Sequence, residues 1–224
     1  MNSRHLFAAM SLAGVLASTA THAADYDAAA DFQTQSNPGS VWSYGYSPSA
    51  GAGYAMTLFD VRGASAWAMS NYSTLGTPSV FLNTGAPANG VGTGQLSLHA
   101  GPAAYGDLAI LRFTAPTAGA YTVTGQFFAG DIGSMQGLII LNGDAANPLQ
   151  SFSNTTDASV FTPLTVTLAA GAYLDFAVGN NGSFLYGSTP VSVQISAVPE
   201  PGSYALLLGG LALTAFASRR KRAG

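Results

Sequence analysis

Short apolar runs separated by turn formers fill residues 41–195, and in several of them apolar and polar positions alternate. Residues 164–168 read Leu-Thr-Val-Thr-Leu and residues 191–195 read Val-Ser-Val-Gln-Ile. A period of two puts one set of side chains on each face of a strand. Further strands are predicted at 41–46, 54–59, 95–99, 108–113, 121–128, 138–141 and 173–178, all rich in β-branched, aromatic or other apolar residues. Turn formers punctuate them: Thr-Ala-Gly-Ala at 117–120, Asn142-Gly143, and Ala-Ala-Gly-Ala at 169–172. The stretch 73–94 is poor in strand formers apart from Val80, Phe81 and Leu82, and is expected to form a long loop. No helical period stands out in this region, and no fixed-period repeat indicates a solenoid. The pattern predicts an all-β domain, an antiparallel β-sandwich of the jelly-roll kind.

The two ends follow another pattern. Arg4 and His5 precede an apolar stretch from Leu6 to Ala17, and small residues close it at Thr21-His22-Ala23. This is the layout of a secretory signal peptide, so residues 1–23 are expected to form a signal helix and to be removed on export. Near the other end, Gly202 to Ser218 is a run of 17 residues without a charge. As a helix it would reach about 25 Å, close to the lower limit for crossing a bilayer. Arg219, Arg220, Lys221 and Arg222 follow at once. Such a cluster stays cytoplasmic, which leaves the preceding chain on the other side of the membrane. The expected division is a signal peptide at 1–23, a β-sandwich at 24–197 and a C-terminal transmembrane segment at 198–224.

Charge changes the picture between these ends. Residues 24–197 hold two arginines, Arg62 and Arg112, against nine aspartates, a formal charge of −7, with no lysine and no glutamate. Two arginines cannot build a patch for nucleic acid, so no nucleic-acid partner is expected. The chain has no cysteine. An exported domain without disulfides must rely on its core, and this length suffices for one.

Val198-Pro199-Glu200-Pro201, the short apolar run and the basic cluster Arg219, Arg220, Lys221 and Arg222 resemble the PEP-CTERM sorting signal in order and position. The resemblance implies an exosortase-like membrane enzyme that processes the tail. It also implies export through the inner membrane of a Gram-negative bacterium, with a transient anchor before delivery to the surface or matrix. Pro199 and Pro201 oppose helix, which keeps the motif extended. A second resemblance lies in residues 31–46, in Ala118 to Val123, in the Asn-Gly turn and in Phe176 to Asn180. These are similar to the exported β-sandwich domains of other PEP-CTERM proteins. Those domains often place an acidic residue after a late tyrosine; here Gly187 follows Tyr186.

The inventory for catalysis is thin. His99 is the only histidine between residues 24 and 197, and it sits in an alternating strand. No Gly-x-Ser-x-Gly elbow accompanies it, so a structural histidine is expected. A glycosidase would need two of the aspartates, most of which lie in turns where they cap backbone groups. Calcium suits loops of aspartate and carbonyl oxygens, which makes Asp131, Asp144, Asp157 and Asp175 its candidate ligands. No Asp-x-Asp-x-Asp loop occurs, capping is the expected role, and no cofactor is expected.

Aromatic residues suggest more. Sugar rings lie flat on aromatic faces while amides bond their hydroxyls. Trp67, Tyr72, Asn180, Asn181, Phe184 and Tyr186 are the candidate carbohydrate contacts, with Trp67 and Tyr186 expected to be exposed beside small polar neighbours. Trp42 alternates with Ser43 and is expected in the core. The expected function is a non-enzymatic, exported surface or matrix protein that binds extracellular polysaccharide. The alternative is a structural biofilm-matrix protein without a discrete ligand site.

Overall fold

The computed structural model describes residues 23–70, 77–102, 108–153, 155, 157–199 and 209–211. The chain forms two compact units, Ala23–Val198 on one hand and Met1–His22 with Pro199–Gly224 on the other. In the second unit, residues 209–211 are helical. Among the described residues no helix is long and apolar enough to cross a membrane. The expected signal helix lies outside the described residues, as does most of the expected terminal helix.

The larger unit is all β. Its strands, in chain order, are β1 (Asp25–Asp27), β2 (Trp42–Ser47), β3 (Thr57–Leu58), β4 (Val61–Arg62), β5 (Ala66–Ala68), β6 (Ser79–Leu82), β7 (Leu96–His99) and β8 (Leu108–Thr114). Then come β9 (Gly119–Phe127), β10 (Gln136–Leu141), β11 (Gln150–Phe152), β12 (Ser159–Val160), β13 (Leu164–Leu168), β14 (Tyr173–Gly179) and β15 (Ser188–Val198). They form two sheets in which every pairing described is antiparallel. The first runs β12-β9-β15-β7-β6-β5-β4, with β13 also on β9 and β1 also on β15; the second runs β11-β10-β14-β8-β2-β3.

From β7 onward the chain keeps changing sheets: β8 is in the second, β9 in the first, β10 and β11 in the second, β12 and β13 in the first, β14 in the second and β15 in the first. Predicted turns lie along this path, one of them between β10 and β11 within the second sheet. Asn142 and Gly143 both have positive φ, 49° and 79°, and the Asp144 amide donates back to the Leu141 carbonyl at 3.0 Å. That is the turn type which asparagine and glycine favour. At 169–172, Gly171 has φ 82° and carries the chain from the first sheet to the second, so β13 and β14 are not partners.

Two sequence expectations are corrected. The stretch 73–94 is not simply a loop: β6 crosses it and pairs with both β5 and β7. The strand expected at 54–59 shortens to β3, and Tyr54 instead lies over the outer face of the same sheet with its hydroxyl on Asp175.

The core lies between the sheets. Val191, Val193 and Ile195 of β15 and Tyr121, Val123 and Phe127 of β9 meet Trp42, Phe113, Phe176 and Ile139 from the second sheet, all buried. Phe113 sits among Tyr26, Trp42 and Tyr121 with ring centroids 5.1, 5.4 and 5.7 Å away. Phe161 packs on Phe127 at 5.2 Å and on Phe176 at 5.9 Å. Each such ring contributes about 1.5–3 kcal/mol by leaving water. Trp42 is in this core as expected, and its Nε1 donates to Asp31 Oδ2 at 3.1 Å.

The outer face of the second sheet carries a smaller core. Leu108, Ile110, Leu138, Ile140, Ala145 and Ala177 cluster there under Ala50, Tyr54 and Met56. Beside them Asp175 of β14 lies directly opposite Arg112 of β8. Arg112 Nε and one terminal nitrogen donate to the two carboxylate oxygens at 2.6 and 2.8 Å. The Tyr54 hydroxyl donates to the same carboxylate, and the guanidinium lies 3.7 Å from the centre of the Tyr173 ring. Burial opposes the arginine's charge, but the Asp175 carboxylate outweighs it and holds the guanidinium above its ordinary pKa. Burial, and then Asp175, raise the Tyr54 phenol well above its usual range. Asp175 is fully buried, so deleting it strands a partly buried cation. Asp175→Ala is expected to lower unfolding free energy by about 3–5 kcal/mol in urea denaturation, against about 1 kcal/mol for Tyr54→Phe. A loss for Asp175→Ala below about 0.5 kcal/mol would show that the pair carries no such burden.

Candidate functional site

The loop between β14 and β15, residues 180–187, gathers most of the expected carbohydrate contacts. Asn180 turns the chain: its Oδ1 accepts from the Gly182 amide at 3.1 Å, and its Nδ2 donates to the Gly101 carbonyl at 2.9 Å. Asn181 has φ 43°, and its Nδ2 donates to Ser134 Oγ and to the Ser153 carbonyl, each at 3.1 Å. Both amides therefore hold the loop in place. Phe184 is half-buried, whereas Tyr186 is 60% exposed and Leu185 48% exposed.

Tyr186 has φ 56°, a left-handed conformation that is costly for a bulky residue. A neighbouring loop, 128–135, supplies what holds it there. The Gly133 amide donates to the Tyr186 carbonyl at 2.9 Å, and the Asp131 amide to the Ser188 carbonyl at 3.0 Å. A Cβ on Gly133 would come within 2.5 Å of the Leu185 and Tyr186 carbonyl oxygens, so only glycine permits this seam. Ile132, 79% exposed, stands on the same loop. The chain thus presents an exposed aromatic ring with two exposed aliphatic residues on adjoining loops. Sequence reading missed Ile132 and Leu185, because nothing local marks an apolar residue as exposed.

His99 anchors this loop. Its Nε2 accepts from the Gly187 amide at 3.3 Å, which leaves the proton on Nδ1, and Nδ1 donates to the Ala100 carbonyl at 2.7 Å. The histidine is therefore committed to neutral, structural bonds.

Other expected contacts lie elsewhere. Trp67 is in the core at 5% exposure, not on the surface, and its Nε1 donates to the Gln33 carbonyl at 2.9 Å. Its small neighbours mark a narrow three-residue strand, β5, whose middle residue points inward. Tyr72 lies outside the described residues.

The four candidate calcium ligands are dispersed in role. Asp131 accepts from the Ile132 amide, Asp144 holds Asn147, and Asp175 holds Arg112. Asp157 is exposed beside β12. Among the described residues no group of three histidine, cysteine, aspartate or glutamate side chains is placed to hold a metal.

A second surface lies on the outer face of the first sheet. Alternation turns Thr122, Thr124 and Gln126 of β9 outward beside Ser192, Gln194 and Ser196 of β15. Two shallow grooves cross it, of about 270 and 360 Å³, and Gln194 lines both.

Burial lowers the pKa of His99, while its bond to Ala100 and the nearby Asp131 charge oppose the fall. The unfolded chain then binds a proton over a pH range in which the folded chain does not. Stability is complete above the ordinary histidine pKa of about 6.5 and falls as pH drops below it. Thermal unfolding of the parent should therefore show a lower midpoint at about pH 5 than at about pH 7.5, with a shallower fall in His99→Gln. Equal slopes in both proteins would contradict a neutral, buried His99.

No curated protein matches this sequence. Among solved structures, the chain is similar to a family 35 carbohydrate binding module from Clostridium thermocellum at 16% identity, covering 40% of this chain and 70% of that one, with a TM-score of 0.28. It is also similar to the C-terminal CBM6 of LamC from Zobellia galactanivorans at 13% identity, covering 46% and 78%, with a TM-score of 0.28. A third likeness is to pika GITRL at 14% identity, covering 41% and 79%, with a TM-score of 0.30. At these scores the likenesses carry no weight for function. The family comparison does: residues 197–222 match the model of the PEP-CTERM protein-sorting motif, from the last residues of β15 through the basic cluster. The end of the chain, residues 197–222, therefore carries a PEP-CTERM protein-sorting motif.

Proposed function

We propose that this is a non-enzymatic β-sandwich protein, delivered to the cell surface or matrix of a Gram-negative bacterium, where it binds extracellular polysaccharide. The observation that carries the proposal is the sorting motif at residues 197–222. In this reading residues 1–23 are a removed signal peptide, 24–197 are a jelly-roll sandwich and 198–224 are a temporary anchor. Pro199-Glu200-Pro201 is the segment an exosortase grips. The uncharged run ahead of Arg219 is barely long enough to span, which suits an anchor meant to be released.

The loop at 180–187 supports the binding part. Tyr186 offers a flat face to a sugar ring, and the asparagines fix that face in position. Its backbone strain is the kind that surrounding structure maintains at functional sites. The non-enzymatic part rests on chemistry already spent: His99 is bound to Ala100 and Gly187, and Asp175 to Arg112. The structural-matrix reading has one observation in its favour: among the described residues every large aromatic other than Tyr186 is buried or half-buried.

Delivery and retention can be tested together in an exosortase-bearing host that makes polysaccharide. The parent should reach the surface with its tail removed and be eluted there by soluble polysaccharide. Replacing Pro199, Glu200 and Pro201 by alanine should leave the chain in the inner membrane at its full C-terminal length. Unchanged processing of the altered protein would remove the sorting role. A parent that reaches the surface yet is not eluted by any polysaccharide would favour the structural-matrix alternative.

A further inference from the structure

The outer face of the first sheet is regular and mostly polar. Register sets its side chains in rows across the strands. Thr165, Thr122, Ser196 and Asp25 stand side by side on β13, β9, β15 and β1. The next row is Thr124, Gln194 and Asp27, and the one beyond it is Val160 of β12, Gln126 and Ser192. Neighbouring strands are about 4.8 Å apart and successive outward residues about 6.8 Å apart, so hydroxyls and amides repeat on a regular lattice. The two grooves run between these rows and share Gln194.

What the face lacks matters as much. Partner proteins are bound through buried aromatic and aliphatic anchors, and these rows offer few: exposed Val160 of β12 stands opposite Gln126, and half-buried Phe128 lines the first groove. Its charges are all of one sign: Asp25 and Asp27 stand in the rows, and Asp31 lines the second groove. Arg112 is spent on Asp175 in the other sheet, and Arg62 lies on β4, at the far end of the first sheet. A polyanion laid here would meet carboxylates with no cation to offset them, a costly juxtaposition.

We propose that this face is a second binding surface, separate from the 180–187 loop, for an extended glycan strand that is uncharged or carries amines. Gln126 and Gln194 supply the amide donors and acceptors, Thr122, Thr124 and Ser192 supply hydroxyls, and Asp25 and Asp27 favour an amine-bearing sugar. The proposal rests on the polysaccharide-binding reading and adds to it the ligand's charge class and a second location.

The test is retardation of full-length protein, in detergent, in native gels cast with dextran, glycol chitosan or alginate, with circular dichroism melting to verify the fold of each variant. The parent should be retarded by dextran and glycol chitosan and not by alginate. Gln126→Ala with Gln194→Ala should weaken dextran retardation about five- to tenfold, the size expected for two lost amide contacts, and Tyr186→Ala should weaken it independently. Gln126→Lys, a single surface change, should gain alginate retardation. Loss in Tyr186→Ala but not in the glutamine pair would overturn the second surface and leave the loop standing. Retardation strongest in alginate would overturn the ligand class. No retardation in any polymer would overturn the binding reading and this proposal with it. A concentration-dependent dimer abolished by the glutamine changes would assign the face to a second copy instead.

Discussion

The hydrogen-bonded ladder of β15 is the constraint on which the rest of the molecule depends. Its eleven residues pair with β9 from Val191 to Val198, with β7 from Ser188 to Val191, and with β1 from Gln194 to Ser196. Two of its partners, β7 and β1, thus lie end to end along one edge, and among the described strands only β15 pairs with both. Alternation then does two things at once. Val191, Val193 and Ile195 enter the core, while Ser192, Gln194 and Ser196 build the polar outer face. A slip of one residue would exchange the two sets, so the same register fixes core and surface together. The strand also begins where the 180–187 loop ends and stops where the sorting motif begins.

That stop is abrupt. Val198 is still paired with Ala120, and Pro199, which has no amide proton to donate, follows with no linker. The Ala197 amide donates to the Ala24 carbonyl at 2.9 Å, so the first described residues close against the last paired ones. Folding of the sandwich therefore brings Ala24 and Ala197 together. Elsewhere, polar groups are spent on holding geometry. Asp175 joins two strands of the second sheet through Arg112, Asn181 ties three loops, and His99 ties β7 to Gly187. Tyr186 stands apart because its ring is held out of the core at the cost of a left-handed backbone.

Much of this was legible in the sequence, for physical reasons that can be named. Residues 164–168 and 191–195 showed their strands because one of their faces meets the core and the other meets water. Asn142-Gly143 showed its turn because few other pairs tolerate two positive φ angles. The loop 180–187 stood out by its asparagines and aromatics, and the structure places four of the expected residues there. Trp67 misled, since small polar neighbours are equally the mark of a short buried strand. The stretch 73–94 misled because Ser79 and Leu82 gain their strand from pairing with β7, which no local propensity reports. The Arg112–Asp175 pair was invisible for the same reason: the residues are 63 positions apart, and only register sets them opposite each other.

Native-state hydrogen exchange of the full-length protein tests the central role of β15 most directly. If this strand holds the sandwich, its ladder amides, and that of Ala197 with them, should exchange only through global unfolding, with the same free energy and denaturant dependence as those of β9. Exchange of β15 by a local opening that is insensitive to denaturant, while β9 stays protected, would contradict the account.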